Sequence, residues 1–423
     1  MKVLKIFILL FLPLFTISIQ AQDSLATQKG VEHIALSSDS IVRRYLIESG
    51  ISITQGNTVK LLKSGTEKFN DLFFKIKQAR HHIHIEYFNF RNDSISGALF
   101  EILAGKVKEG VEVRLIFDAF GNISNNRPLT RKHLKDIRES GIEIIKFDPI
   151  NFPYINHVFH RDHRKIVVID GYIGYTGGMN IADYYIKGLP KIGEWRDVHV
   201  RIEGSAVHNL QKVFLEMWEK ETKQKIGGDA YFPQYTPPYK DGKDIAIVDR
   251  RPRKTPKLMR RVLAGSIRAA QRKLQIINPY FVPTRSIKKE IRKALQRGVD
   301  VEIMISTESD IPFTPEATFY ISHKLMKQGA EVYMYNGGFH HSKVMMVDES
   351  FCTVGSTNLS SRGLRYDYET NAFIFDKETT RELIDMFEKD KESSSIMTPE
   401  GWKERSKWKR FAGWFAHLFT PFI

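Results

Sequence analysis

The sequence predicts an α/β protein built from two similar lobes, each a mixed sheet flanked by helices, with one active site at their interface. The chain has 423 residues, which is too long for one compact core. A pattern of strand, amphipathic helix and glycine turn occurs twice along it. Each occurrence is followed by the same histidine–lysine–aspartate motif. We therefore expect the two lobes to supply equivalent side chains to one site.

Each half of the repeat reads as a strand, a helix and a second strand, and then as a further helix and strand. The first two strands fall at 83–88 and 109–114 in one half, and at 274–281 and 297–302 in the other. The next helix and strand cover 134–147 and 325–335, turning at Gly141 and Gly329. A strand that returns through a helix to a second strand predicts parallel pairing in each lobe.

Composition and patterning divide the chain into five predicted parts. They are a signal peptide or N-terminal anchor at 1–22, a first lobe at 47–226, a linker at 227–244, a second lobe at 245–395 and a basic amphipathic tail at 396–423. Two lysines precede an uncharged run that ends at Gln22, with a small residue at Ala21, as in a secretory signal peptide. We expect an exported protein associated with the cell membrane, its signal cleaved and not kept as an anchor.

The overall charge narrows the range of partners. The net charge of +15 favours nucleic acid, phosphorylated substrates or an acidic membrane face. Outside the first 25 residues no stretch is apolar enough to span a bilayer, which excludes a polytopic transporter. The single cysteine, Cys352, excludes an intrachain disulfide and a thiolate zinc cluster, and its apolar neighbours predict a core position.

The C-terminal tail combines aromatic and basic residues. Three of the five tryptophans fall there: Trp402, Trp408 and Trp414. On a helix, one face would carry Trp408, Phe411, Phe415, Leu418, Phe419 and Phe422. This pattern favours an interfacial helix on an anionic membrane, and the alternative is a helix docked on the protein's own core.

The repeated motif carries the chemistry. The first occurrence consists of His163, Lys165 and Asp170, followed by Gly177-Gly178-Met179-Asn180. The second consists of His341, Lys343 and Asp348, followed by Gly355-Ser356-Thr357-Asn358. Positions i and i+2 of a strand face the same side, so each histidine should point together with its lysine. Two imidazoles and two ammonium groups would then meet at one site.

These residue types suit phosphodiester chemistry through a phosphohistidine, with no metal or other cofactor required. Lysine neutralises phosphate oxygens, and histidine can attack, donate or accept a proton. Small residues before an asparagine let the backbone and the amide approach an oxyanion. A catalytic histidine also needs a partner on its other ring nitrogen. Each half offers a carboxylate, Asp197 and Glu369, and we expect these two to orient His163 and His341.

Two histidine clusters and one basic helix remain outside this pattern. His157, His160 and His163 recur every third residue, and His81, His82 and His84 share a strand, but neither cluster has a nearby acid at a ligand spacing. No metal site is predicted. The segment 257–273 reads as a basic helix that could face lipid headgroups or nucleic acid, although a solvated face is the commoner outcome.

The paired motifs resemble the phospholipase D superfamily, and the wider context resembles bacterial cardiolipin synthases. That context includes Tyr175–Asp183, Trp195–His199, Asn278–Pro283 and the closing Phe419–Ile423. The resemblance implies two phospholipase D-like lobes, with His163 as nucleophile and His341 as general acid and base. It also implies that Lys165, Lys343, Asn180 and Asn358 hold the phosphate, with Gly178 and Ser356 beside them. Asp170 and Asp348 would belong to the catalytic motif as supports of the site.

Three functions are compatible with these residues. The first is a phosphatidyltransferase that converts two phosphatidylglycerols to cardiolipin and glycerol, with an anionic phospholipid as substrate and a membrane surface as partner of the tail. The second is a hydrolase that uses water as acceptor on phospholipid. Nucleic acid is a weaker substrate candidate, because no interleaved aromatic and basic platform is found. The third is an inactive binding protein, and the completeness of both motifs argues against it.

Overall fold

The computed structural model describes residues 36–149, 159–235, 242–311 and 314–419. The described residues from 37 onward form one compact unit. The predicted signal segment at 1–22 and His157 lie outside the described residues. Among the described residues no helix has the length and apolar character needed to cross a membrane. Below, the first half means the described residues up to 226, and the second half means those from 242.

The first half contains seven helices and eight strands within its described residues. Its helices are α1 Ser38–Glu48, α2 Gly65–Lys77, α3 Ser94–Lys108, α4 Ala119–Ser124, α5 Arg131–Glu139, α6 Tyr184–Lys187 and α7 Val207–Thr222. Its strands are β1 Ile53–Leu62, β2 His82–Tyr87, β3 Glu112–Asp118, β4 Glu143–Phe147, β5 Lys165–Ile169, β6 Ile173–Gly177, β7 Glu194–Arg196 and β8 His199–Glu203.

The second half contains nine strands and seven helices within its described residues. Its strands are β9 Lys243–Arg250, β10 Lys273–Ile277, β11 Asp300–Ser306, β12 Glu331–Tyr335, β13 Gly338–His340, β14 Val344–Val347, β15 Phe351–Gly355, β16 Glu369–Phe375 and β17 Ser394–Ile396. Its helices are α8 Leu258–Ala269, α9 Arg285–Gln296, α10 Thr314–Met326, α11 Ser361–Arg365, α12 Lys377–Lys391, α13 Pro399–Glu404 and α14 Lys407–Leu418.

One continuous mixed sheet of 15 strands joins the two halves. Its order is β17-β12-β11-β10-β14-β15-β16-β9-β1-β8-β6-β5-β2-β3-β4. Read outward from the antiparallel β1–β9 pair at the centre, the two sides have matching strand orders. The predicted parallel units are confirmed, because β2, β3 and β4 pair in parallel, as do β10, β11 and β12. Duplication therefore places equivalent strand ends on both sides of the centre.

Helix α1 of the first half packs on the second half, and β17 adds an edge strand within the second half. Val42 and Leu46 of α1 lie in the hydrophobic core of the second half, and Arg43 pairs with Asp244 at 2.6 Å. β17 pairs with β12 across Tyr333 and Ile396. Residues 38–46 of α1 and Ile396 of β17 lie beyond the lobe bounds predicted from sequence. Cys352 is fully buried, as predicted.

The motif aspartates lie away from the histidines, which corrects their assignment as catalytic residues. Asp170 accepts hydrogen bonds of 2.8–2.9 Å from the consecutive backbone N–H groups of 80, 81 and 82, just before β2. Asp348 does the same at 2.8 Å for 271, 272 and 273, before β10. The physical reason is distance, since a five-residue strand such as β5 spans about 17 Å between its lysine and the aspartate. The two aspartates hold the backbone where β2 and β10 begin, at the ends of β5 and β14 that lie away from the histidines.

Replacing Asp170 with alanine should destabilise the fold. The change removes three hydrogen bonds to a carboxylate, and hydrogen bonds to charged groups contribute about 1.5–3 kcal/mol each, so the free energy of unfolding should fall by about 3 kcal/mol or more. It also puts alanine at a φ of 54°. Denaturant unfolding measures the effect, with Asp136→Ala on the exposed face of α5 as control. Equal stability of Asp170→Ala and the control would contradict the anchoring role.

Candidate active site

The two motif histidines lie just before β5 and β14, and the backbone of each is held by the other half. The N–H of His163 donates to the carbonyl of Tyr368 at 3.0 Å. The N–H of His341 donates to the carbonyl of Arg196 at 2.7 Å. Arg196 belongs to β7, which pairs in parallel with β13 of the second half. These contacts bring both histidines to the junction of the halves.

The predicted carboxylates contact the histidines, and they do so across the junction. Nδ1 of His163 lies 3.1 and 3.2 Å from the two carboxyl oxygens of Glu369. Nδ1 of His341 lies 2.7 Å from Oδ2 of Asp197. A carboxylate accepts, so Nδ1 carries the proton in each imidazole and Nε2 is left for chemistry. Among the described residues the structure shows no hydrogen bond to either Nε2.

The two small residues predicted to touch substrate instead serve the carboxylates. The hydroxyl of Ser356 donates to Glu369 and accepts from the N–H of Thr370 at 3.0 Å, so it is not free to bind a phosphate. A Cβ added at Gly178 would lie 2.2 Å from Oδ1 of Asp197. Gly178 therefore leaves room for the carboxylate. In the structure, both residues support the carboxylates that orient the histidines.

The motif lysines are buried beside the histidines. Nζ of Lys165 donates to the carbonyl of His163 at 2.8 Å, and Nζ of Lys343 donates to the carbonyl of His341. Burial lowers the pKa of Lys165 to about 8 and that of Lys343 to about 7. An ammonium group has three donors, so each lysine retains donors for an anion after binding its carbonyl.

Burial also sets the charge of the histidine–carboxylate pairs. Desolvation lowers the pKa of His163 and His341 well below the usual value, and the ammonium groups of Lys165 and Lys343 lower both further. Desolvation raises the pKa of Asp197 to about 6 and raises that of Glu369 well above the usual range. Both imidazoles are thus neutral near pH 7, which leaves a lone pair on Nε2 for nucleophilic attack.

Asn180 and Asn358 follow the ends of β6 and β15, the strands next to the motif strands. Their side-chain oxygens are buried and have no hydrogen-bond partner within the described part of the chain. Lys68, which no sequence motif marked, holds one of the two segments. Its Nζ donates to the carbonyls of Met179 at 3.1 Å and Asn180 at 2.9 Å. Burial lowers the pKa of Lys68, and the nearby Asp197 carboxylate opposes this shift.

His341 lies among aromatic rings, another feature that the motifs did not reveal. Ring centroids of Phe339, Trp195, Tyr280 and Tyr185 lie 5.4, 5.6, 6.0 and 6.5 Å from its imidazole. The hydroxyl of Tyr280 donates to Asp310, which fixes this ring. The side chain of His341 is 6% exposed, against 13% for His163. The surroundings of the two histidines therefore differ, with His341 in the drier environment.

Arg164, the residue between His163 and Lys165, ties the halves together. Its guanidinium binds Asp249 at 2.7 and 2.9 Å in the second half and Glu86 at 3.0 Å in the first. All three side chains are buried or nearly so. Paired guanidinium and carboxylate groups of this kind impose a fixed geometry. The motif is thus clamped on both sides of His163.

Three further histidines, His82, His84 and His160, make hydrogen bonds within the protein. Gln211 bridges two of them, with its oxygen 3.1 Å from Nε2 of His82 and its nitrogen 2.8 Å from Nδ1 of His84. Nδ1 of His160 lies 3.1 Å from the carbonyl of Tyr366. Within the part of the chain that the structure describes, no group of three or more histidine, cysteine or acidic residues has the geometry of a metal site.

Comparison with known proteins gives consistent matches. The family model described as cardiolipin synthase, PLD-like domain, matches residues 72–218 and 263–391. A cardiolipin synthase of Listeria monocytogenes is 34% identical over 381 residues, covering 89% of this chain and 78% of the relative. The major cardiolipin synthase of Bacillus subtilis is 35% identical over 373 residues, covering 88% and 76%.

Solved structures match the fold. A phosphatidylserine synthase of Haemophilus influenzae superposes with a TM-score of 0.63 at 15% identity, covering 88% of this chain and 97% of that one. A polyphosphate kinase of Porphyromonas gingivalis superposes with a TM-score of 0.52 at 12% identity, covering 79% and 50%. At these identities the likeness concerns the fold alone.

Anion binding at this site should weaken as pH rises. Lys165 and Lys343, with pKa values of about 8 and about 7, carry their positive charge below those values and lose it above them. The affinity for sulfate, whose charge is constant over this range, should fall at least about tenfold between pH 6 and pH 9. Calorimetry at constant ionic strength measures it, and Lys343→Met should weaken binding at pH 6 and flatten the profile. Wild-type affinity independent of pH would contradict this assignment.

Proposed function

Because the chain belongs to the cardiolipin synthase family of the phospholipase D superfamily, and is an enzyme of its phosphatidyltransferase class, we propose that it converts two phosphatidylglycerols to cardiolipin and glycerol. The observation that carries this proposal is the pair of histidines, each oriented through Nδ1 by a buried carboxylate. Within the described part of the chain, neither Nε2 has a hydrogen-bond partner. Two lysines and two asparagines beside them suit one phosphodiester anion.

In the first step, Nε2 of His163 attacks the phosphorus of phosphatidylglycerol. The bond between phosphorus and the glycerol oxygen breaks. His341, which takes up a proton from solvent at Nε2 when the anionic phosphate binds, gives that proton to the oxygen, so glycerol leaves. A phosphatidyl group remains on His163. Glu369 stabilises the positive charge that develops on this imidazole, and the ammonium groups of Lys165 and Lys343 stabilise the equatorial oxygens.

In the second step, a hydroxyl of another phosphatidylglycerol attacks the phosphorus from the side of His341. Neutral His341 accepts the hydroxyl proton, the phosphorus–nitrogen bond to His163 breaks, and cardiolipin is released with both histidines restored. No metal or external co-reactant is needed for this balance. Asp197 stabilises the His341 imidazolium in both steps, which agrees with its 2.7 Å contact to Nδ1.

The aromatic surroundings of His341 favour a lipid hydroxyl over water as acceptor. Four rings lie within 6.5 Å of the imidazole, and its side chain is 6% exposed. An apolar wall restricts water and accommodates an acceptor with an organic body. This enclosure supports transfer over hydrolysis.

Helix α14 supports access to a lipid substrate at a membrane surface. One narrow face of α14 docks on the protein, with Gly413 close to Glu316 and Tyr320 of α10, and with Ala416 buried. The other face exposes Trp408, Phe411, Trp414, Phe415, Leu418 and Phe419. Trp402 stacks on His323 at 4.1 Å and so faces inward. The sequence left two alternatives for the tail, a helix docked on the protein and a helix at the membrane surface. The inner side of α14 is docked on the protein, and its outer side suits insertion among lipid headgroups.

Phosphatidylglycerol labelled with ³²P, presented in vesicles, tests the reaction. We expect equal amounts of cardiolipin and glycerol, and label on the peptide containing His163 after an alkaline quench. His163→Ala should abolish the label and lower turnover by about a thousandfold or more, since it removes the nucleophile. His208→Ala on α7 is the matched control. Label retained in His163→Ala would contradict the mechanism, phosphatidic acid as the main product would contradict the transferase assignment, and no lipid product would contradict both.

A further inference from the structure

A basic cleft of about 570 Å³ lies between α8 and α9, separate from the histidines. We define the basic cleft by the six cationic side chains that line it: Lys257, Arg260, Arg261, Arg268, Arg285 and Arg365. Glu290 is the one carboxylate among its lining residues. The cleft lies on the basic helix that the sequence already singled out. Its charge is therefore strongly unbalanced.

Most of these cations have no acidic partner within the described part of the chain. Glu290 is engaged by Arg268 at 3.2 Å, and the structure shows no ion pair for the other five. Nε of Arg365 is buried and has no hydrogen-bond partner there. Burial lowers the pKa of Arg260, and the charges of Arg365 and Arg261 lower it further. Like charges gathered without counter-charges destabilise one another, and a bound anion would relieve this repulsion.

Neutral donors complete an environment suited to phosphate. Helix α9 begins at Arg285, and the side chain of Thr284 makes no capping hydrogen bond to it. The hydroxyls of Thr284 and Ser286 lie 3.1 Å apart and both line the cleft. The uncapped N–H groups of this 12-residue helix, two hydroxyls and several guanidinium groups are the donors that phosphate oxygens prefer.

Helix α9 connects the basic cleft with the exposed aromatic face of α14. Arg285 is the first residue of α9, and Lys288 lies one turn further along the same helix. Burial, and then the charges of Lys288 and Lys324, lower the pKa of His417 on α14 to about 4. The start of α9 also adjoins the active site, because the N–H of Val282 donates to the carbonyl of Leu359 at 3.1 Å, next to Asn358.

We propose that the basic cleft binds the phosphate of an anionic phospholipid headgroup, as a second lipid site apart from the catalytic histidines. Its position at the start of α9, a helix whose Lys288 interacts with His417 of α14, favours a lipid over nucleic acid or a free phosphate ester. Headgroup binding in the cleft and insertion of α14 would hold the edge of the active site against the bilayer. The inference rests on the proposed function for its lipid context.

Vesicle binding of the full chain tests the basic cleft. The variant Arg260→Gln/Arg285→Gln removes two cleft cations, and Arg131→Gln/Lys132→Gln removes the same charge from exposed α5. On vesicles with three parts phosphatidylglycerol to seven parts phosphatidylcholine, the cleft variant should bind about thirtyfold more weakly, since each cation beside anionic lipid contributes about fivefold. The α5 variant should bind within about twofold of wild type. Turnover of monomeric short-chain phosphatidylglycerol should be unchanged in both.

A comparison with Trp408→Gln separates headgroup binding from insertion. This variant should also weaken binding to pure phosphatidylcholine vesicles, whereas the cleft variant should differ from wild type only when phosphatidylglycerol is present. Equal weakening by the cleft and α5 variants would overturn the proposal. The proposal would also be overturned if the cleft variant bound vesicles as wild type does but no longer bound glycerol 3-phosphate or single-stranded DNA. If wild type binds vesicles through the cleft but forms no lipid product, the proposed reaction fails and the cleft assignment stands.

Discussion

The site depends on a reciprocal exchange of hydrogen bonds between the two halves. Glu369 of the second half binds Nδ1 of His163 in the first, and Asp197 of the first half binds Nδ1 of His341 in the second. The backbone contacts from Tyr368 and Arg196 follow the same crossed pattern. Neither half alone holds an oriented histidine, so the catalytic geometry exists only where the halves join. The continuous sheet and the Arg164 clamp keep that junction fixed.

Burial of this junction determines its electrostatics. Desolvation lowers the pKa values of both imidazoles and both lysines and raises those of the carboxyl groups. In the proposed reaction, the oxygens of a phosphodiester would lie between the ammonium groups of Lys165 and Lys343. At the surface, the basic cleft gathers six cationic side chains with few acidic partners among the described residues. Both features suit a substrate that has a phosphate headgroup and an apolar body.

Features with a local pattern were predictable from sequence, and features set by long-range contacts were not. The repeated pattern of strand, helix and glycine turn predicted the parallel strands. The repeated motif predicted that His163, His341, Lys165 and Lys343 share one site. The pairing of each histidine with the carboxylate of the other half depends on how the halves meet. Residue spacing within one half carries no information about that contact. Asp170 shares the motif but lies at the far end of β5, and Ser356 turns toward Glu369, so motif membership overstated their roles. Lys68 acts through tertiary contacts that leave no signature in sequence. Tyr280 lies in the Asn278–Pro283 block, but the sequence does not indicate its contact with His341.

The crossed pairing is tested most directly by NMR of the imidazole Nδ1–H protons in protein labelled with ¹⁵N-histidine. Glu369→Gln should shift or broaden the Nδ1–H signal of His163 and leave that of His341 in place, and Asp197→Asn should have the opposite effect. Assignment follows from loss of each signal in His163→Ala and His341→Ala. If Glu369→Gln instead perturbed His341 while His163 was unchanged, each carboxylate would serve its own half, and the reciprocal site described above would be wrong.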